Sequence, residues 1–407
     1  MPPPLARTTE PDRPASKKRS RSDITLEERA ILTELDEAVV QQLAHGTLRL
    51  ISTEFITSRP EGYKLPRMQE LARIDGALLP PAMAAELLKK ADRSVLAVSY
   101  GWLSAGEPDP NGRRFAAIQN ALQKLEAGGE LRGAAGLFWD YGSLPQKPRT
   151  ATEDRAFKLG LEVMANLYAS ALGTAVLQLK QIPARPKDAI GAVRVMRLPD
   201  PTYATKPALT KIFGRYGEIR DIAIHGADEA TVRFGEEKAA LQAMYYDPKM
   251  LGLGTDAIVC HEYNDRPYDA RGWCAFEEAV SLEFLGRSRK YGNERMRAIM
   301  EQPRLAKVYM IGHRADGVPE ARQPAGPQDK ISVRRSIEAA TFIGKGDRKV
   351  VLELYKRFQL DGAHVASRFN KTMAQAANGG NVKHSVAARQ ALAEEAIAAR
   401  RMAAERK

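Results

Sequence analysis

Between residues 93 and 183, short and continuously apolar runs alternate with longer segments whose apolar residues recur every three or four positions. Continuous apolar runs are typical of strands buried on both faces, and the longer spacing is typical of amphipathic helices. We therefore predict strands at 94–102, 136–143 and 174–183, with a helix in each interval. Because strands and helices alternate, the pattern indicates an α/β fold with a doubly wound parallel sheet.

Capping residues mark where several helices should begin. Thr25 and Thr150 are each followed three positions later by Glu, which is the spacing of a capping box. Asp109 is placed to cap the helix between the first two strands. The helix after Thr25 should end at Gly46, and a further helix is expected at 81–91.

The hydrophobic spacing changes at 190–264, where the order of elements becomes strand, helix, strand, strand, helix, strand. This βαββαβ order is that of ferredoxin-like folds. The phrase FGRYGEIRDIAI at 213–224 resembles the first helix and second strand of RNA-recognition-motif (RRM) domains. We interpret the segment as an RRM-like module inserted into the α/β domain, which resumes with a helix at 271–284 and a strand at 305–312.

These patterns divide the chain into six segments. The ends are set apart by composition, and the middle by the change of period. The segments are a disordered basic tail (1–22), a helical lead-in (23–92), the first part of the α/β domain (93–189), the RRM-like insert (190–264), the second part of the α/β domain (265–360), and a linker with a basic Ala-rich helix (361–407).

The net charge of +12 lies mostly at the two ends of the chain. Residues 1–22 carry +4 and residues 366–407 carry +5, which leaves +3 for the long middle part. The basicity therefore describes solvated tails more than the folded core. The run SKKRSRS at 16–22 leaves open a nuclear-import or nucleic-acid role for the first tail.

The remaining composition narrows the class of protein. Two cysteines, Cys260 and Cys274, make no disulfide framework and suit a reducing compartment. The N-terminal residues lack the apolar segment of a secretory signal, and no run of 18 apolar residues is present. We expect an intracellular protein, cytoplasmic or nuclear, without a membrane span. The six histidines are scattered, so we expect no metal site.

Three blocks carry candidate chemistry: VSYGW (98–102), FWDYGSLPQ (138–146) and RGWCAFEE (271–278). In this order they resemble heterokaryon-incompatibility (HET) domains and their TIR-like relatives. The resemblance to HET domains rests on Ser99, Tyr100, Trp102, Trp139, Asp140, Gln146, Arg271, Gly272, Trp273 and Glu277. TIR domains share the last block as Trp-Cys-x-x-Glu, which Trp273, Cys274 and Glu277 satisfy. Together with the βα pattern, the resemblance implies a TIR-like (flavodoxin-like) sheet.

The resemblance also implies an activity. Catalytic TIR domains split NAD at the bond between nicotinamide and ribose, usually after self-association, and NAD is then a substrate rather than a cofactor. On this hypothesis Glu277 is the catalytic carboxylate beside an open cleft. The substrate-binding residues would be Ser99, Tyr100, Trp102, Asp140 and Trp273. Several of these residues have an alternative role: Glu277 could pair with Arg271 or lie in solvent, Asp140 could cap or brace the loop after its strand, and the two tryptophans could belong to the core.

Two other functions stay open. TIR-like domains also serve as scaffolds, so the chain could be a non-catalytic signalling or assembly module that binds proteins through both domains. Its cleft would then be filled by side chains, for example by the insert's connections. An RNA-associated protein is the third hypothesis. RNA binding by the insert is not favoured, because the aromatic positions of RRM strands fall on Arg194, Glu229 and Thr231, and 191–264 has net charge −1.

Overall fold

A computed structural model describes most of the chain. The described residues are 24–246, 248–291, 294–312, 314, 316–322, 330–344 and 346–377. The predicted disordered tail at 1–22 and the predicted Ala-rich helix at 385–407 lie outside them. Within the described part, no helix is both long enough and apolar enough to cross a membrane.

Ten strands in the described part form two sheets. In chain order they are β1 (Ile51–Ser52), β2 (Val95–Tyr100), β3 (Gly136–Phe138), β4 (Thr174–Leu179), β5 (Ala192–Met196), β6 (Ile219–Ile224), β7 (Glu229–Phe234), β8 (Ile258–His261), β9 (Val308–Met310) and β10 (Glu320–Ala321). The larger sheet has the order β1-β3-β2-β4-β9-β10, and the smaller sheet has the order β6-β7-β5-β8.

Helices connect and cover these strands. The α-helices of the described residues are α1 (Leu26–Leu32), α2 (Glu37–Ala44), α3 (Thr53–Thr57), α4 (Met68–Leu71), α5 (Pro81–Lys89), α6 (Arg113–Ala127), α7 (Asp140–Ser143), α8 (Ala151–Ala169), α9 (Lys206–Phe213), α10 (Glu237–Tyr245), α11 (Gly272–Tyr291), α12 (Glu294–Met300), α13 (Lys330–Ala339) and α14 (Asp347–Ala377). Short 3₁₀ turns occur at Glu34–Asp36, Lys187–Ala189, Gly214–Tyr216 and Tyr268–Ala270.

The larger sheet is parallel in its centre and covered on both faces. Strands β3, β2, β4 and β9 run parallel, and β1 and β10 add antiparallel edges. Every residue of β2 and β4 is buried. Alternate β2 residues face two separate cores: Val95 and Ala97 pack with α2, α5, α8 and α11, whereas Leu96 and Val98 pack with α3 and α6. The predicted α/β class, with helices on both faces of a parallel sheet, is confirmed.

The insert has its own sheet and its own core. All three strand pairings are antiparallel, and the order of elements is the predicted βαββαβ. Helices α9 and α10 cover one face, where Phe213 and Phe234 make an edge-to-face contact in a core formed by insert residues alone. The other face is turned towards the loop after β2, since a Cβ on Gly106 would lie 3.0 Å from the Arg194 guanidinium.

Both capping boxes are confirmed, but element boundaries differ from the prediction. The helix begun by Thr25 breaks at Thr33 into α1, a 3₁₀ turn and α2. Helix α6 begins four residues after Asp109, behind Gly112 at φ +67°. The Asp109 carboxylate still accepts a hydrogen bond from the Phe115 backbone N–H at 2.8 Å, so it caps the helix from an irregular turn.

Three predicted elements differ from the structure because of contacts between distant parts of the chain. The strand predicted at 136–143 ends at Phe138, and Asp140 begins the one-turn helix α7. The lead-in supplies an edge strand, β1, which pairs with β3. Helix α14 passes the predicted boundary at 360 and continues to Ala377, because Val365 and Phe369 pack into a core with α1 and α12.

Candidate functional site

The site is built where helix α11 crosses the carboxyl end of β2. Ser99 is the fifth residue of β2 and is fully buried. Glu277 lies in the second turn of α11 and is only 7% exposed. The Ser99 hydroxyl donates a hydrogen bond of 2.6 Å to Oε2 of Glu277. The first and third sequence blocks therefore meet through these two side chains, which are 178 positions apart.

A line of hydrogen bonds continues from Ser99 into the sheet. The Ser99 hydroxyl lies 2.5 Å from the Tyr268 hydroxyl, and Gln178 Nε2 donates to that same Tyr268 oxygen at 3.0 Å. Since Ser99 uses its proton on Glu277, Tyr268 must donate to Ser99. The bonds thus all point one way, from the amide of Gln178 through Tyr268 and Ser99 to the carboxylate.

The two adjacent glutamates of α11 have different surroundings. Glu278 pairs with Lys180 at 2.8 Å and with Arg322. Glu277 forms no ion pair with any described residue. Burial raises the pKa of Glu277 well above its usual range, the Ser99 hydrogen bond lowers it in part, and the charge of Asp140 raises it further.

Asp140 forms a second polar cluster at the same edge of the sheet. Its carboxylate accepts hydrogen bonds from the Tyr100 hydroxyl at 3.0 Å, the Trp102 indole N–H at 2.9 Å and the Tyr141 backbone N–H at 2.7 Å. Burial raises its pKa, and these three donors offset part of that rise. The fold therefore brings Tyr100, Trp102 and Asp140 together, close enough to Glu277 for the charge of Asp140 to raise its pKa.

Arg271 does not pair with Glu277, so that alternative is wrong. Its guanidinium donates to the backbone carbonyls of Trp102 at 2.6 Å, Asn264 at 2.7 Å and Arg266 at 2.9 Å. Burial lowers its pKa to about 10. The group passes so close to Gly101 that a Cβ there would lie 2.6 Å from Cζ. Arg271 thus fastens the segment after the insert to the loop after β2.

Trp273 lies apart from the two carboxylate clusters. Its indole N–H donates to Asp347 at the start of α14 at 3.2 Å, and its ring lies edge-on to Phe276 with centroids 6.1 Å apart. The ring of Phe342 packs directly against Gly272, the preceding residue. A Cβ at position 272 would lie only 1.9 Å from that ring. Trp273 therefore packs between α11 and the start of α14.

The site is closed by the connection that follows the insert. Tyr268, on the 3₁₀ turn between β8 and α11, is 2% exposed and occupies the space beside Ser99. An open cleft rimmed by Ser99, Trp102 and Asp140 would require Ser99 to be accessible, but Ser99 is 0% exposed. In this conformation Tyr268 therefore fills the position of the cleft, as expected for a non-catalytic module.

Two residues of the site were missed from the sequence. Gln178 carried a signal, because it is a polar residue inside the buried apolar strand TAVLQL. Tyr268 carried none, since a tyrosine three positions before an Arg-Gly-Trp block has no characteristic meaning by itself.

In the described part of the chain, no group of three or more His, Cys, Asp and Glu side chains is placed to hold a metal ion. Cys274 is buried and donates its thiol hydrogen to the Tyr100 carbonyl at 3.4 Å. Burial raises the pKa of this thiol well above its usual range, which disfavours the thiolate that metals and electrophiles require.

The positions that bind bases in RRM domains are occupied here by polar pairs. Arg194 binds Glu229 at 2.8 Å, and Thr231, which is fully buried, donates to Glu262 at 3.1 Å. These pairs leave no exposed aromatic surface at the three predicted positions.

Comparison of the chain with protein-family models, with curated proteins and with solved structures gives no match. The family resemblance therefore rests on the three sequence blocks alone.

Proposed function

We propose that the chain is a TIR-like protein that hydrolyses a nucleotide such as NAD at the nicotinamide–ribose bond, with Glu277 as the carboxylate that contacts the ribose. The supporting observation is the setting of Glu277, a buried carboxyl without a cation among the described residues. Such a group costs stability, and an apolar side chain would cost less. Carboxyl groups with a strongly shifted pKa are typical of functional sites, and Glu277 lies beside the carboxyl end of a parallel strand.

The strand order is consistent with this proposal. Numbered along the chain, the four parallel strands have the order 2-1-3-4, which agrees with flavodoxin-like sheets. In such sheets ligands bind where the strand order reverses, here between β2 and β4. Ser99 on β2 and Gln178 on β4 flank that point. The order β6-β7-β5-β8 likewise supports a ferredoxin-like, and hence RRM-like, insert.

The chemistry requires an ionised carboxylate but no general acid. The cationic nicotinamide ring takes the electron pair of the C1′–N bond and leaves as neutral nicotinamide, and water adds to C1′ of the ribose and loses a proton. The difficult part is the positive charge that develops on the ribose between these events. A carboxylate beside the sugar offsets that charge and accepts hydrogen bonds from its hydroxyls. Burial disfavours the charged form of Glu277, whereas the cationic nicotinamide ring of the substrate would favour it.

The closed conformation is then a resting form. A nucleotide gains access only when the Tyr268 hydroxyl leaves Ser99 and the connection at 264–271 moves away. The contacts that hold that connection in place include the Tyr268 hydrogen bond, the Arg271 contacts to carbonyls and the ion pair between Lys180 and Asp269. Self-association, which catalytic TIR domains usually need, would supply the energy for this movement.

Incubation of the concentrated protein with NAD, in the presence of a crowding agent, tests the proposal by nicotinamide release. Glu277→Gln should lower the rate by about a hundredfold, the usual effect of losing one charge-stabilising group. The matched control is Glu338→Gln, which changes an exposed glutamate of α13 in an ion pair with Arg334. Release should also rise with pH, because Glu277 must lose a proton that burial holds. Equal rates in both variants would refute a catalytic Glu277.

A non-catalytic assembly module is the second candidate, favoured by the complete burial of Ser99 and Tyr268. In that case Glu277, Ser99 and Tyr268 only join α11 to the sheet. The crowded wild-type protein would then release no nicotinamide, while Glu277→Gln would leave self-association unchanged in sedimentation analysis.

A further inference from the structure

An open groove of about 570 Å³ lies on the helical side of the insert, between α9 and the turn around Leu251. Its walls include Tyr203, Ile212 and Leu251, and two basic residues, Lys211 and Arg215, stand at its edge. This volume is in the usual range for sites that bind small ligands or peptide side chains.

The two basic residues are exposed and lack acidic partners among the described residues. Lys211 and Arg215 are four positions apart, so they project from one side of the helical segment. Among the described residues, the Arg215 guanidinium donates to the Ile212 carbonyl at 3.0 Å and lies 5.4 Å from the Tyr216 ring. By contrast, Arg194 and Arg233 on the sheet of the same module are paired with glutamates. The groove therefore offers positive charge that the fold does not use.

An apolar and aromatic rim extends from the groove. The ring of Tyr216 lies 5.7 Å from that of Tyr246, which in turn lies 5.6 Å from that of Tyr245. Tyr245 is 86% exposed and Met250, next to the groove residue Leu251, is 71% exposed. Exposed aromatic and aliphatic side chains near a groove are typical of an interaction surface.

The helical side is also the accessible side of the insert. The sheet face lies against the loop after β2, at Gly106 and Arg194. A salt bridge from Arg185 to Glu237, at the start of α10, joins the insert to the segment before it, and Arg185 also pairs with Asp265 in the segment after it. Helices α9 and α10 lie on the opposite face of the sheet, so a partner can approach them without displacing the α/β domain.

We propose that the groove and its rim bind an acidic peptide segment of another protein, with one aliphatic or aromatic side chain of that segment inserted between Ile212 and Leu251. Carboxylates of the peptide pair with Lys211 and Arg215, and the rim tyrosines contact its apolar residues. The chain's own ends do not suit the groove, because residues 1–22 carry +4 and residues 366–407 carry +5. RNA is disfavoured because two cations beside an apolar wall suit a peptide with carboxylates and one apolar side chain, whereas a phosphate backbone requires a longer run of basic residues.

The test uses the full chain and an array of twelve-residue peptides in which Asp or Glu alternates with Leu, Ile, Phe or Trp. Arrays with Lys or Arg in place of the acids, and single-stranded RNA, are probed in parallel. We expect saturable binding to acidic peptides alone, measured by fluorescence anisotropy. The double variant Lys211→Glu with Arg215→Glu should weaken it by about tenfold or more, since each pair becomes repulsive. Tyr245→Ser should weaken it by a smaller factor.

The matched control is the double variant Arg220→Glu with Lys238→Glu, which makes the same change of charge on exposed residues of the insert outside the groove. Thermal unfolding followed by circular dichroism shows that both double variants are folded. Equal loss of binding in the two variants, preference for the basic array or for RNA, or no saturable binding up to about 1 mM peptide would each overturn the proposal.

Discussion

At the scale of single residues, the contrast between Glu277 and Glu278 is the most informative feature. Both belong to the block RGWCAFEE (271–278), and they are one position apart on α11. Glu278 has two cations, Lys180 and Arg322, whereas Glu277 faces inward to a serine hydroxyl. The direction of a helical side chain, rather than its chemical type, decides which glutamate is paired with cations and which is buried without one.

Glu277→Gln should stabilise the fold at neutral and alkaline pH. Because the folded-state pKa of Glu277 is raised, the folded protein holds the proton more strongly than the unfolded chain. The wild type therefore loses stability as the pH rises from the ordinary carboxyl pKa towards the raised one. Glutamine keeps an acceptor for Ser99 without charge, so the gain should be on the order of 1–3 kcal/mol above the raised pKa.

Urea denaturation at several pH values measures this effect. The gain should vanish at a pH below the ordinary carboxyl pKa, where both variants are neutral at this position. Glu338→Gln on the exposed side of α13 should change the free energy of unfolding by less than about 0.5 kcal/mol. A Glu277→Gln variant that is less stable than the wild type at neutral pH would contradict the assignment of a costly buried charge.

At the scale of elements, the sequence predicted the features that local interactions determine. Both capping boxes form as expected, since Thr25 and Thr150 need only the three residues that follow them. The end of β3 and the length of α14 were not predictable in this way. Strand β3 ends because Ser143 Oγ accepts from the Trp139 backbone N–H and closes a helical turn, and α14 continues because distant helices bury Phe369.

The Arg271 guanidinium joins the loop after β2 to the connection at 264–271, and this contact can be tested directly. Gly101→Ala would place a Cβ 2.6 Å from the guanidinium and expel it from the carbonyls of Trp102, Asn264 and Arg266. Leaving buried polar groups unpaired costs about 1–3 kcal/mol each, so we expect a loss of about 2–4 kcal/mol in the free energy of unfolding.

Gly214→Ala is the matched control, because that glycine has open space where the Cβ would lie. Its free energy of unfolding in urea should stay within about 0.5 kcal/mol of the wild type. Limited proteolysis gives a second measurement, since release of Arg271 should make the segment at 264–271 more susceptible to cleavage in Gly101→Ala than in the control. Equal free energies of unfolding for the two variants would show that the Arg271 contacts do not stabilise the fold.

At the scale of the whole molecule, the insert is a self-contained unit within the α/β domain. Its first and last strands are neighbours, with Val193 paired to His261, so the chain enters and leaves at one place. Its core draws only on residues from Val193 to Ala257 and the side chains packed against them. The pattern of apolar residues predicted this unit because its strands and helices are each specified locally. The orientation of its sheet towards the loop after β2 depends on contacts between distant segments, such as Gly106 with Arg194.

Residues 190–264 expressed alone should therefore fold cooperatively. A core of this size supports a free energy of unfolding of roughly 3–5 kcal/mol, so the isolated module should show one thermal transition in circular dichroism. Phe213→Ala removes a fully buried ring from its centre at a cost of about 3–5 kcal/mol and should abolish that transition. Tyr245→Ala, at an exposed position of α10, should leave it intact. Failure of the wild-type module to fold would mean that the loop after β2 and the Arg185 ion pairs are needed to complete it, and that the insert and the α/β domain form a single cooperative unit.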